Sequence, residues 1–415
     1  MRMSMRRDAE RIVSQAIQAV QPDAAVRQAL WGRHLSGRVV LVAVGKAAWQ
    51  MAKTAHDCLK ERIEQGVVIT KYGHAKGALA NFRCYEGGHP IPDENSFRGT
   101  QAAISLVEAL SEGDTVLLLL SGGGSALFEK PLIPFKELQD ITSQMLAGGL
   151  DIVEMNTIRK RLSAVKGGRF AELCAPAQVL SIVLSDILGD PLDMIASGPA
   201  YPDATTCVQA QTIVEKYHLR LSAQARSQLA RETPKALTNV ETIITGSVRE
   251  LCHAAANVCQ ELGYEAIVLT DRLCCQAKEA GSFLASIALS HKDTRVPTAY
   301  LAGGETVVRL TGTGKGGRNQ ELALSAAAGI AGLPNVLIFS FGSDGTDGPT
   351  DAAGGIVDGG TAWALAEQGL DIHSILERND AYRGLQKVNG LIMTGPTGTN
   401  VNDVAVVLIG AFSDD

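Results

Sequence analysis

Three loops of this chain gather glycines and cations in the pattern that handling an anionic group requires. "TVLLLLSGGGSALF", Thr115 to Phe128, runs from an apolar stretch into Gly122, Gly123 and Gly124, flanked by Ser121 and Ser125. Consecutive glycines let the backbone aim successive N–H groups at one spot, where an anion fits. In "LVAVGKAAWQMAKTAH" Lys46 stands where a strand gives way to a helix. A lysine there opposes the helix dipole by about 0.3–1 kcal/mol and so calls for a negative partner. "VVRLTGTGKGGRNQELALSAAAGIAG" sets Gly312, Gly314 and Gly317 in the G-x-G-x-x-G order of dinucleotide sites, with Asn319 able to cap the helix that follows. No acidic residue follows at about twenty positions to hold a ribose. Lys315 and Arg318 lie inside the loop instead, which suits a phosphoryl group gathering charge better than a pyrophosphate cradled by backbone.

Acidic loops complement these cations. "VLSDILGDPLDMIASGP" offers Asp186, Asp190 and Asp193, and "FGSDGTDGPTDAAGG" offers Asp344, Asp347 and Asp351. Carboxylates on strand-end loops suit magnesium, which takes one or two of them beside phosphate oxygens and water, and one could act as a base. The second loop lacks the closing glutamate of an EF-hand, and the histidines show no H-E-x-x-H pairing for zinc. In "NTIRKRLSAVKGGRFAELC" Asn156, Arg159, Ser163 and Lys166 share one helical face, with Gly167 and Gly168 as the cap that ends the helix. Such a face reads equally well as a solvated basic surface or as a substrate contact.

The elements that must position these residues are apolar runs alternating with helical patterns, from "VVLVAV" and "GVVIT" to "NVLIFSFG" and "VAVVLIG". That alternation predicts an α/β fold with a mostly parallel sheet, and in such sheets ligands bind at the carboxyl ends of strands. At 415 residues the chain exceeds a single core. The polar "ARETPKALTNVE" stretch predicts domains of residues 1–238 and 239–415. A net charge of −6 gives no footprint for nucleic acid. The eight cysteines without C-x-x-C spacing read as reduced thiols. No apolar stretch reaches the ~18 residues of a membrane span. The opening segment, with Asp8 and Glu10 and apolar residues at helical spacing, reads as an amphipathic helix and not as a signal peptide. A cytoplasmic protein without nucleic-acid or membrane partners is expected, as monomer or homodimer.

In order along the chain, "SGGGSALF", "NTIRKRLSAVKGG", "SDILGDPLDMIASGP", "LAGGETVVRLTGTGKGGRNQELALS", "FGSDGTDGPTDAAG" and "TGPTGTNVNDV" together resemble the glycerate 2-kinases, whose C-terminal part is the MOFRL domain. The likeness runs from Lys46 to Asp403. It implies a Rossmann-like domain, a parallel sheet with helices on both faces, followed by a smaller α/β MOFRL domain, with the active site in the cleft between them. It implies ATP and Mg²⁺ as cofactors and D-glycerate as substrate, phosphorylated on its 2-hydroxyl. Through "AVGKAA" and "GKGGRNQE", Lys46 and Arg318 would be the principal active-site cations. Asp186 or Asp190 would hold the metal, with Asp186 also a catalytic candidate, and Ser121 to Ser125 would hold either a phosphate or the substrate carboxylate. Arg159, Lys166, Glu305, Gly314, Lys315, Gly317, Asn319, Asp344 and Asp347 are the further binding candidates. Loss of Lys46 or Arg318 is expected to spare the fold, because strand-end loops carry little core. Two other classes stay open: an NAD(P)H-dependent hydroxypyruvate reductase, using the G-x-G-x-x-G glycines with His89 as catalytic histidine, and a non-catalytic regulator that binds sugar phosphates.

Overall fold

The structure is a computed structural model that describes residues 2–412 apart from 186, 188 and 190. The metal candidates Asp186 and Asp190 therefore lie outside the described residues. The chain divides into two compact units, one formed by Val26–Leu184 and Asp190–Thr245, the other chiefly by Gly246–Asp415 together with Met1–Ala25.

In the first unit six strands, β1 (Val39–Val44), β2 (Ile63–Lys71), β3 (Phe82–Gly87), β4 (Thr115–Leu120), β5 (Gln178–Leu184) and β6 (Val240–Gly246), lie in the order β3-β2-β1-β4-β5-β6. The pairings from β3 through β5 are all parallel. β6 joins β5 in the same sense, with Asn239 O accepting from Val179 N–H and Gly246 O from Ser185 N–H. Every residue of β1 and β4 is buried, as their unbroken apolar sequences require of strands covered on both faces. The order reverses direction between β1 and β4. In open α/β sheets, that reversal opens a crevice beyond the carboxyl ends of the two strands.

The second unit holds β7 (Glu265–Leu273), β8 (Thr298–Gly304), β9 (Val336–Gly342), β10 (Gly354–Asp358), β11 (Leu391–Ile392) and β12 (Asp403–Ile409), in the order β11-β10-β9-β12-β8-β7. Here the expectation of a mostly parallel sheet fails: only β7 and β8 run parallel, and the other pairs are antiparallel. No helix separates β9 from β10, so the chain doubles back on itself. β12 enters between β8 and β9 against the direction of both. Its first residue, Asp403, pairs with Gly304 and Gly342 and so stands at the carboxyl ends of both neighbours.

Next to it, the helix Arg318–Gly329 packs on the helix Ala277–Ser290 through buried Ala280, Ala285, Ala323 and Ala326. Gly281 permits the close crossing, since a Cβ there would lie 2.2 Å from Leu322 O. The amphipathic opening helix, Arg2–Ala19, buries Ala9, Ile12, Val13 and Ala16, and the Tyr264 hydroxyl donates to Asp8 at 2.8 Å. That helix belongs to the second unit, whose main segment begins at Gly246. No helix among the described residues is long and apolar enough to cross a membrane.

Candidate active site

The reversal point of the first sheet sets the loops after β1 and β4 side by side. Val44 is in register with Leu120, and just beyond them Lys46 N–H donates to Gly122 O at 2.9 Å and Ala47 N–H to Ser121 Oγ at 3.1 Å. Gly45 has φ +120°, and a Cβ there would lie 2.3 Å from Ser121 Oγ. Only glycine fits that crossing. The Lys46 carbonyl lies 3.0 Å from His74 Nδ1, and Thr70 Oγ1 donates to Gly45 O at 3.0 Å. The backbone of the lysine loop is thus pinned, while the half-buried ammonium makes no hydrogen bond or ion pair among the described residues. Across from it, Gly123 takes φ +86°. The N–H groups of Gly122, Gly123, Gly124 and Ser125 likewise find no acceptor among the described residues. Unpaired donors beside an unpaired cation make a site for an anion.

Behind this loop the chain is strained and tightly held. A Cβ on Gly124 would lie 2.6 Å from the Ala196 side chain. Ala196 and Ser197 precede Gly198 with φ of +51°, +60° and +64°; left-handed backbone costs a non-glycine residue about 1–2 kcal/mol, and such strain gathers at ligand sites. Gly167 N–H and Gly168 N–H donate to Ser197 O and Gly198 O at 3.0 and 2.7 Å, which fixes the turn. Ser197 Oγ lies 3.0 Å from Ser125 Oγ and donates to Asn156 Oδ1 at 3.4 Å.

The basic helix departs from its sequence reading. It spans Ile152–Arg161, so Ser163 and Lys166 lie beyond it, and Gly168 (φ +86°) caps the start of the next helix instead of the end of this one. Nor is the basic surface solvated. Lys160 and Arg161 are buried, with Lys160 Nζ 3.0 Å from Asp193 and 3.3 Å from Asp203, and Arg161 bonded to Thr205 and to Glu232 at 3.2 Å. Asp193 is thereby occupied. Lys166 is fully buried and its ammonium is bonded to Glu129; burial pushes its pKa down. Arg159 remains half-buried, with no side-chain partner among the described residues.

In the second unit Arg318 opens its helix and grips Asp403 with two bonds, Nε to Oδ2 at 2.5 Å and Nη2 to Oδ1 at 3.0 Å. Its remaining nitrogen, Nη1, lies 3.5 Å from Glu305, whose other oxygen accepts from Asn402 Nδ2 at 3.3 Å. Burial raises the Asp403 pKa against the pull of the guanidinium, and the carboxylate in turn holds Arg318 firmly cationic. Asp347, buried, accepts from Asn319 N–H at 3.1 Å and Gln320 N–H at 2.8 Å, capping the helix from a distant loop. Its burial pushes its pKa up to about 6. Asn319 accepts from Ser340 Oγ, and Asp344 turns its own loop by accepting from Thr346 N–H at 2.9 Å.

The G-x-G-x-x-G glycines serve close packing. The N–H groups of Thr311 and Gly312 donate to Asn379 Oδ1, that of Gly314 to Arg378 O, and that of Lys315 to Asp380 Oδ1. A Cβ on Gly314 would lie 2.5 Å from Arg378 O, and one on Gly317 2.2 Å from Asp347. These donors are not available to a pyrophosphate. Lys315 Nζ sits over the Tyr382 ring, 4.1 Å from its centre.

Sequence reading passed over Asp403, Ser197 and Glu129. The signal for Asp403 was present: a carboxylate heading "VAVVLIG", a strand otherwise wholly apolar. Among the described residues no group of three or more histidine, cysteine or acidic side chains is placed to hold a metal.

Comparison with known proteins matches residues 8–230 to the domain of unknown function DUF4147 and residues 298–403 to the MOFRL family. The chain is 52% identical to the D-glycerate 2-kinase of Thermotoga maritima, over 98% of this chain and 99% of that one. It is 33% identical to human glycerate kinase, over 98% and 94% respectively. The crystal structure of glycerate kinase from Thermotoga maritima superposes with a TM-score of 0.95 at 50% identity, covering 98% of this chain and 100% of that one.

Proposed function

Because this chain belongs to the glycerate kinase family, in which a DUF4147 domain is joined to a MOFRL domain, we propose that it transfers the γ-phosphoryl group of ATP to the 2-hydroxyl of D-glycerate, giving 2-phospho-D-glycerate. The observation that carries this reading is the Lys46 ammonium beside the N–H groups of Gly122 to Ser125, all without partners among the described residues. Phosphoryl transfer asks little covalent chemistry of a protein and much positioning and charge. The loop seats an oxyanion, either a nucleotide phosphate or the glycerate carboxylate. Lys46 and Arg318 stabilise the charge that spreads over the transferred group. Asp403 fixes the plane of the Arg318 guanidinium so that Nη1 is the nitrogen left to donate. Arg159, with no side-chain partner among the described residues, suits the substrate carboxylate.

Magnesium, when bound, neutralises charge on the nucleotide's phosphate oxygens. An ion held chiefly by phosphates needs only one or two carboxylates from the protein, which fits Asp186 or Asp190 as its holders; one aspartate then acts as base toward the 2-hydroxyl. A reductase reading is disfavoured, because the N–H groups of Thr311, Gly312, Gly314 and Lys315 are engaged by residues 378–380.

The test is a phosphorus NMR spectrum of protein, Mg·ATP and D-glycerate. The secondary ester at C2 couples to a single proton and gives a doublet. A triplet would place the phosphate on the 3-hydroxyl. No new resonance, with NADH consumed on hydroxypyruvate, would overturn the kinase reading.

A further inference from the structure

Gly123, the left-handed glycine of the anion loop, is overlain by basic side chains from two separate segments. A Cβ on it would lie 3.0 Å from His89 Cδ2, 3.2 Å from His89 Nε2 and 3.4 Å from Lys46 Cγ. His89 follows β3 and is partly buried, and its ring has no hydrogen-bond partner among the described residues. Lys46, Lys71 at the end of β2, and His74 on the loop after it all bear on the imidazole electrostatically. Asp93, the acid of its own segment, is already used by Ser96 N–H, the Tyr72 hydroxyl and Gly88 N–H. The charges acting on the ring are all basic and repel one another, and a bound anion relieves that repulsion.

We propose that His89 is a further basic residue of the anion site, binding through Nε2 the oxyanion seated on the Gly122–Ser125 loop and taking up a proton as that anion arrives. This rests on the kinase reading, which seats a phosphate or a carboxylate there. In the free protein burial, then the neighbouring cations, hold His89 below the ordinary histidine range, so it is neutral near pH 7. An anion on the loop reverses the balance. Since the protonated ring is the form the anion favours, binding tightens as pH falls and weakens as pH rises through the pKa of the complex.

Calorimetric titration with inorganic pyrophosphate, and separately with D-glycerate, in buffers of different ionisation enthalpy counts the protons taken up; whichever probe shows uptake is the anion of the loop. The wild-type protein takes up a proton count approaching about one per site near pH 7. His89→Asn and His89→Gln, both retaining the wild-type circular dichroism spectrum, lose the uptake. They bind the probe about tenfold more weakly at pH 6.5 and nearly as well as wild type at pH 8.5. His74→Asn keeps the uptake. Binding without proton uptake, or uptake that survives in both His89 variants, overturns this inference and leaves the kinase reading standing. Uptake lost only in His74→Asn does the same. Failure of both probes to bind the wild-type protein overturns the anion loop itself.

Discussion

Replacing Arg318 by alanine tests the fold and the chemistry at once. The side chain of Asp403 is 8% exposed; each of its oxygens accepts from the guanidinium of Arg318, whose side chain is 33% exposed, and the Asn319 side chain is a further donor. Removing one partner of a fully buried pair costs 3–5 kcal/mol; with water able to enter where Arg318 stood, the loss here is about 2–3 kcal/mol. The sequence expectation that the fold is indifferent to this residue is therefore replaced by a measurable destabilisation. Adding Asp403→Asn to Arg318→Ala leaves a neutral amide where a stranded carboxylate stood, and the net loss falls to about 1 kcal/mol. Neither variant regains the lost charge at the transferring group, so kcat stays at least about a hundredfold low in both. Urea denaturation followed by circular dichroism, beside a coupled ADP-release assay, separates the two effects. In the single variant the deficit also shrinks as pH falls, because a stranded, raised-pKa carboxyl is relieved by protonation. A single variant that unfolds at the wild-type urea concentration would refute the buried pair. Activity restored in the double variant would refute the catalytic role of Arg318.

Lys46→Ala lowers kcat at least about a hundredfold with an unchanged urea midpoint, since its ammonium has no partner to lose among the described residues; near-normal turnover would remove it from the mechanism. Asp347, with a folded pKa of about 6 against 3.8, contributes stability that is present below about pH 4 and gone above about pH 6, on the order of 3 kcal/mol. Asp347→Asn abolishes that component, so a wild-type slope across this window in the variant would count against it. Asp186→Asn or Asp190→Asn raises the Mg²⁺ concentration for half-maximal rate far more than Asp57→Asn does, where Asp57 merely pairs with Lys53 at 2.5 Å; coincident titrations would put the metal elsewhere.

The candidate anion loop was legible because two wholly apolar runs, β1 and β4, lead straight into glycines, and strand ends are where such sheets bind ligands. Strand direction in the second sheet was not legible. β9 and β12 are both buried throughout, and a strand covered on both faces carries no alternation that could reveal which way its neighbour runs. The buried state of Lys160 and Arg161 was equally hidden, since their partners Asp203 and Glu232 arrive tens of residues later. The spacing of Gly312, Gly314 and Gly317 was correctly seen, and its cause is close approach to residues 378–380 and Asp347.

The position of β12 sets an order on biosynthesis. It bridges β8 and β9, so until residues 403–409 leave the ribosome the second sheet exists only as separate fragments, and Arg318 lacks the two-bond grip on Asp403. The helix Arg2–Ala19, which belongs to the same unit, is made before the helix Val248–Glu261 on which it chiefly packs, and until that helix follows its apolar face is uncovered. Meanwhile the Val26–Leu184 and Asp190–Thr245 segments can complete their own sheet. While the first sheet is being made, the nascent chain thus exposes the apolar face of this amphipathic helix, the kind of surface that holding chaperones bind.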